Sequence, residues 1–114
     1  MSRAMHEPTF WILTAMIDAP RHGYGLIKQV VELSGGQRRL QAGTLYAALD
    51  RLVGEGLVEV DHEETIDGRP RRYYRLTRQG ASALTAETAR LEHTARTARR
   101  LLAAHPAFGQ VSFG

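Results

Sequence analysis

The sequence predicts a mainly α-helical fold with a small β-hairpin, and three observations carry that prediction. The stretch Gln41–Gly56, QAGTLYAALDRLVGEG, repeats Leu45, Leu49 and Leu52 at helical spacing, with Val53 extending the stripe and Gly56 offering a left-handed stop. Leu57 to Asp61 then alternates, with Val58 and Val60 on one face and Glu59 and Asp61 on the other, as a strand with one buried side does. A second strand follows at Arg71 to Thr77, and Asp67-Gly68 between the two supplies hairpin-turn chemistry. A helix followed by a two-stranded hairpin with a basic tip is the pattern of a winged helix-turn-helix. A long C-terminal dimerisation helix completes the expected architecture.

Composition bounds the rest. The 114 residues suit one domain with a modest core. Hydrophobic residues at 43% and charged residues at 24% exclude a disordered or membrane-embedded chain. Fifteen Lys plus Arg against twelve Asp plus Glu leave a formal charge of +3. All the basic residues except Lys28 are arginine. Arginine's planar fork suits phosphate and guanine, although a GC-rich genome produces the same bias. With no cysteine, disulfides, thiolate zinc sites and cysteine nucleophiles are excluded. No apolar run is long enough to span a bilayer, so a cytoplasmic protein is expected.

Taken in order, the first helix starts near Pro8 and runs to about Ala19, where Pro20 stops it. Phe10, Leu13 and Ile17 point one way, and Trp11, Ile12, Ala15 and Ala19 the other. A helix apolar on both sides needs two partners, the local core and, on this reading, a second subunit met through Phe10 and Ile12. His22-Gly23-Tyr24-Gly25 opens the second helix. Its glycines either ease a tight turn and a helix crossing or expose N–H groups to a phosphate. Gly35-Gly36 ends that helix, and Arg38-Arg39 lies in an exposed loop.

In the third helix Gln41 stands at the N-cap. At about 100° per residue the leucines share one side, while Gly43, Thr44, Ala47, Asp50 and Arg51 face away. A face trimmed to Gly, Thr and Ala lets another surface approach the backbone, and the DNA major groove is such a surface. A sparsely decorated surface helix is the plainer alternative. If the second helix crosses the DNA backbone, the third reads the groove, with Gln41 and Thr44 near base edges or phosphates and Arg51 on a phosphate. Arg69, Arg71, Arg72 and Arg75 crowd the wing, where Pro70 stiffens the tip. Asp61, Glu63, Glu64 and Asp67 weaken that positive field. Tyr74 and Leu76 should face inward, Tyr73 and Arg75 outward.

Thr77 caps the last helix, which runs from about Arg78 to Ala104. Leu84, Leu91, Ala95, Ala98 and Leu102 form a loose heptad stripe interrupted by Thr88. The helix is longer than the core requires, which predicts a dimer seam through Leu84, Leu91, Ala98 and Leu102. The chain thus divides into a DNA-binding domain over 1–77, a dimerisation helix over 78–104 and a flexible tail over 105–114, in which Phe108, Val111 and Phe113 are untethered.

His22-Gly23-Tyr24-Gly25, Gly43-Thr44-Leu45-Tyr46 with Leu49 and Leu52, Gly56-Leu57-Val58, an arginine before Tyr74, and Leu76-Thr77 followed by Gly80 together resemble the PadR-type transcriptional regulators. The resemblance spans roughly Phe10 to Leu102 and fits the shorter branch of the family, with a single C-terminal helix. It implies a homodimer that binds a double-stranded DNA operator, an inverted repeat, usually as a repressor. Tyr24, Gln41, Thr44, Tyr46, Ala47, Arg51, Arg69, Arg71 and Arg72 become the candidate DNA contacts. Ala47 stands where the family often has proline and Gln41 where a serine cap is common, so family operator sequences do not transfer. Some members bind phenolic acids or flat hydrophobic drugs at the dimer interface, which makes Trp11 and Ala15 candidate effector contacts. No catalytic residue, cofactor or metal is implied.

Other classes fare worse. The five histidines form no catalytic motif, so an enzyme is not expected. Asp61-His62-Glu63-Glu64, with His93, suggests a metal sensor, but alternating strand residues face opposite ways and chelate poorly. The stronger rival is a winged helix that holds an acidic protein partner and has no specific operator.

Overall fold

The computed structural model describes residues 4–109. The elements run α1 (Glu7–Thr14), β1 (Arg21–His22), α2 (Gly23–Leu33), α3 (Ala42–Gly54), β2 (Val58–Ile66), β3 (Arg69–Leu76) and α4 (Arg78–Ala104). The three strands form one antiparallel sheet in the order β1-β3-β2.

The leucine stripe of α3 is the centre of the core. Leu45, Leu49 and Leu52 are fully buried, packed with Leu26 and Val30 of α2, Ile12 and Leu13 of α1, Val58 and Tyr74 of the sheet, and Leu84 of α4. Each such leucine contributes about 1.5–3 kcal/mol by leaving water. Gly56 ends this helix region at φ +79°, as its position requires. The Thr77 hydroxyl then does two things. It accepts from the N–H of Gly80 at 3.0 Å, capping α4, and donates to the carbonyl of Gly56 at 2.7 Å, tying the end of one helix to the start of the next. The hairpin turns at Asp67 and Gly68, with φ of +51° and +76°, a two-residue loop of the kind that follows strand twist. Pro70 lies in β3 beyond the two residues that pair with β1, so its missing N–H leaves no ladder bond unmade there.

Several expectations need correction. Helix α1 ends at Thr14, not Ala19. The Ala15 carbonyl accepts from Arg21 Nε at 2.7 Å, and the bonds Met16 N–H to Leu13 and Ile17 N–H to Thr14 tighten the chain into a turn. Ile17 is consequently 62% exposed. Ile12, Ala15 and Leu84 are buried in the chain's own core, so Ile12 presents nothing to a second subunit, Leu84 only a 6% exposed edge, and Ala15 has no exposed surface to line a pocket. Val60 keeps regular register with Tyr74 yet is 42% exposed, and a bulge follows it between Val60 and His62. The same bulge brings Asp61 beside His62, where alternation would have separated them. Strand β1 had no sequence signal, since two residues carry no periodicity.

Helix α4 has the expected bounds, yet among its residues only Gly80, Leu84 and Glu87 are buried. The remaining turns project, giving extents of 64 × 30 × 23 Å and a radius of gyration of 17.5 Å, against about 13 Å for a compact chain of this size. Of the expected flexible tail, His105 to Gly109 form a turn closed by Phe108 N–H and Gly109 N–H to the His105 carbonyl. Val111 and Phe113 lie outside the described residues. Among those described, no helix is long and apolar enough to cross a membrane.

Candidate nucleic-acid interface

Opposite its leucines, α3 carries a ridge of Gly43, Ala47, Asp50 and Gly54, all exposed. A Cβ added at Gly43 or Gly54 would meet nothing within 4 Å, and neither residue needs a positive φ. Gly43 is the second residue of α3 and Gly54 its last, where glycine costs a helix less than the roughly 1 kcal/mol of an interior site. No contact among the described residues requires either to be small.

Beside the ridge a groove opens between the helices and the wing. Tyr24 and Tyr46 border it on the helix side, 69% and 48% exposed, and Arg69, Arg71 and Arg72 border it on the wing side. Tyr46 is seated by Gly23, whose missing side chain makes room for the phenol: a Cβ there would stand 2.3 Å from the hydroxyl oxygen. This close approach explains the first glycine of the Gly-Tyr-Gly turn. The second glycine, Gly25, donates its N–H to Nδ1 of His22 at 3.2 Å, so the His22 side chain caps α2.

The wing's charges divide. Arg72 pairs with Glu63 at 2.9 Å, while Arg75 pairs with Glu59 at 2.6 Å and Asp61 at 3.5 Å. Arg69 and Arg71 enter no ion pair among the described residues, which leaves two forks free at the groove. Behind them the rings of His22, Tyr73 and His62 stack across the three strands, His22 to Tyr73 edge-on at 5.2 Å and His62 to Tyr73 face-on at 4.4 Å. Burial first, and then the charge of Arg71, push the pKa of His22 down. That keeps the Nδ1 lone pair available for its cap. His62 is pushed the other way, chiefly by its bond to Asp61, with Glu64 adding to it. No grouping of three or more metal-ligating side chains occurs among the described residues.

A second concavity lies between α1 and α4, lined by Met5, Glu7, Phe10, Trp11, Glu87, Arg90 and Leu91. Glu87 is 6% exposed, bound by Arg90 and by the Met5 N–H at 3.3 Å. Arg90 above all holds its carboxyl below the usual range. Glu7 accepts from the Trp11 indole at 3.2 Å and pairs with Arg38 of the loop before α3, Nη2 to Oε2 at 2.8 Å.

Residues 12–86 match the family described as "Transcriptional regulator PadR-like family". The chain belongs to the PadR-like family. A transcriptional regulator of Mycobacterium tuberculosis is 42% identical over 85 residues, covering 75% of this chain and 76% of that protein. A PadR family transcription regulator from Clostridium difficile, 25% identical, superposes with a TM-score of 0.70 over 82% of this chain and 96% of its own. The PadR of Bacillus subtilis, solved in complex with operator DNA, is 20% identical and superposes at 0.64 over 71% of this chain and 47% of that one, a likeness of fold. The family and these relatives are transcriptional regulators, not enzymes.

In this PadR-like regulator the predicted contact residues fall into two sets. Tyr24, Tyr46, Arg69, Arg71 and Arg72 surround one groove, and Ala47 lies on the ridge beside it. Gln41 and Thr44 are exposed at the start of α3, and the Gln41 side chain makes no cap bond. Arg51, 47% exposed, donates to the Thr9 hydroxyl and to Glu55, both at 2.8 Å, and braces α3 against α1. Of the second set, Trp11, Phe10 and Leu91 share the α1/α4 concavity, while Leu91, Ala98 and Leu102 are exposed along α4. Sequence reasoning missed the ring stack, the buried Glu87 and the seat that Gly23 makes for Tyr46. The last had one signal in the sequence, the pair Gly23 and Gly25 read as easing a helix crossing.

Proposed function

We propose that this PadR-like regulator is a cytoplasmic homodimer that binds an inverted-repeat operator and represses transcription until a small aromatic or hydrophobic effector releases it. The ridge of α3 enters the major groove, with Gln41, Thr44, Tyr46 and Ala47 nearest the bases, and Tyr24, Arg69, Arg71 and Arg72 hold the backbone. The observation that carries this reading is the pair Gly43 and Gly54, which put no side chain on the exposed ridge and have open space in front of both. A close-approaching external surface accounts for them. The bare turns of α4, with Leu91, Ala98 and Leu102 exposed, support a partner helix from a second copy, with Phe10 at the edge. The concavity that holds Trp11 supports an aromatic effector, since Met5, Phe10, Trp11 and Leu91 line it beside the charged Glu7, Glu87 and Arg90.

Selection of bound fragments from a random duplex library at near-physiological salt tests the proposal. An enriched inverted repeat, with half-sites about one helical turn or more apart, is the expected result. Binding without enrichment that disappears as salt rises would replace it with a winged helix that holds an acidic protein through the wing arginines.

A further inference from the structure

We infer that Asp50 sets base specificity on the α3 ridge, by accepting a hydrogen bond from the exocyclic amino group of a cytosine in the major groove. The inference rests on the DNA-binding reading above. Along Gly43, Ala47, Asp50 and Gly54, Asp50 is the one side chain with a hydrogen-bonding atom. It is exposed, and it makes no hydrogen bond or ion pair among the described residues.

Most carboxylates around it are held, and of those that border the groove Asp67 at the hairpin tip is the other free one among the described residues. Glu55, one turn on, is held by Arg51, and on β2 each carboxylate from Glu59 to Glu64 is held by an arginine or by His62. Asp50 borders the same groove as Arg69, Arg71 and Arg72, yet none of them engages it. A carboxylate on a face that meets DNA is repelled by phosphates, so what it faces there must be a donor. The major-groove edge offers two donors, the amino groups of cytosine and adenine. Adenine sets the acceptor N7 beside its amino group, which repels the second carboxylate oxygen. Cytosine sets only a C–H there, so cytosine fits. Tyr46, one turn earlier on α3, has its hydroxyl seated over Gly23 and walls the same side of the groove.

The test uses the full chain, as wild type and as Asp50→Ala and Asp50→Asn, in the duplex selection and then in competition binding. Wild type should enrich a half-site with one fixed C·G pair and lose roughly 5- to 100-fold in affinity when that pair is changed. Asp50→Ala should bind both versions alike and bind unrelated duplex more tightly. Asp50→Asn should shift the preference at that position towards adenine, whose N6 and N7 an amide can satisfy together. An Asp50→Ala protein that enriches the wild-type half-site with its discrimination intact overturns the assignment and leaves the DNA-binding reading standing. A wild-type protein that enriches nothing overturns that reading, and the assignment of Asp50 with it.

Discussion

Two pairs of glycines look alike in the sequence and differ in what surrounds them. At Gly80 a Cβ would stand 2.0 Å from the Leu57 carbonyl oxygen and 2.7 Å from Leu76 Cδ1, and at Gly23 it would stand 2.3 Å from the Tyr46 hydroxyl. At Gly43 and Gly54 it would meet open space. The first pair is small because the chain packs against itself. The second pair meets no such neighbour among the described residues, and on the proposed reading an external surface takes that space. Helix α3 then has two specified faces, one set by its leucines and the other by the surface that approaches it.

That contrast can be broken by substitution. Gly80→Ala should have the largest effect, a loss of about 3 kcal/mol or more in urea unfolding, because a backbone carbonyl and a packed leucine both stand in the way. An unfolding midpoint equal to wild type would show that α4 can retreat from Leu57. Gly23→Ala should cost less, about 1–2 kcal/mol, since the far end of Tyr46 can swing aside. In a double-mutant cycle with Tyr46→Ala the two changes should couple by at least about 0.5 kcal/mol; simple additivity would mean that the ring is not seated on Gly23.

Gly43→Ala and Gly54→Ala should cost no stability. Each lies at an end of α3 and should leave the fold as stable or stabilise it by up to about 0.5 kcal/mol, while weakening operator binding. Unchanged affinity would remove the external surface from the explanation.

The smallest effect is the pH dependence set by the stacked rings. The folded pKa of His22 lies below 6.5, so as pH falls the unfolded chain takes its proton first. Its contribution is fully present above about pH 6.5 and is lost as pH drops through the depressed folded value. His62 acts oppositely: with its pKa raised above 6.5, its contribution is full below that pH and is lost as pH rises through the folded value. Asparagine caps helices well, so His22→Asn should flatten the thermal-stability profile below pH 6.5 and leave the slope above it. An unchanged acid limb would assign that limb to other groups.

The parts of the fold that were legible in the sequence have a local physical cause. The stripe of α3, the Asp67-Gly68 turn and the Thr77 cap each depend on residues a few positions apart, and all three stand where expected. The overrun of α1 shows the limit. Pro20 does forbid a helix through that point, but the helix ends five residues earlier because Arg21 takes the Ala15 carbonyl. A competition between a side chain and a backbone N–H leaves no periodic trace. The candidate site divides in the same way. The wing arginines were visible as a cluster, whereas Arg51, legible only as a basic residue on the polar face, proved to brace α3 against Thr9 of α1.

The sequence by itself determined the family, the order of helices and hairpin, and the small, polar outer face of α3, because helical period, turn residues and spaced motifs are properties of neighbours along the chain. The tertiary structure decided the rest. It joined β1 to the sheet, buried Ile12, Ala15 and Leu84 in the chain's own core, left Arg69, Arg71 and Asp50 without an ion pair among the described residues while pairing Arg72 and Arg75, and set Tyr46 on Gly23. Those outcomes depend on which distant side chains arrive first at a shared hydrogen-bonding group or a shared space. Only the packed chain settles that competition.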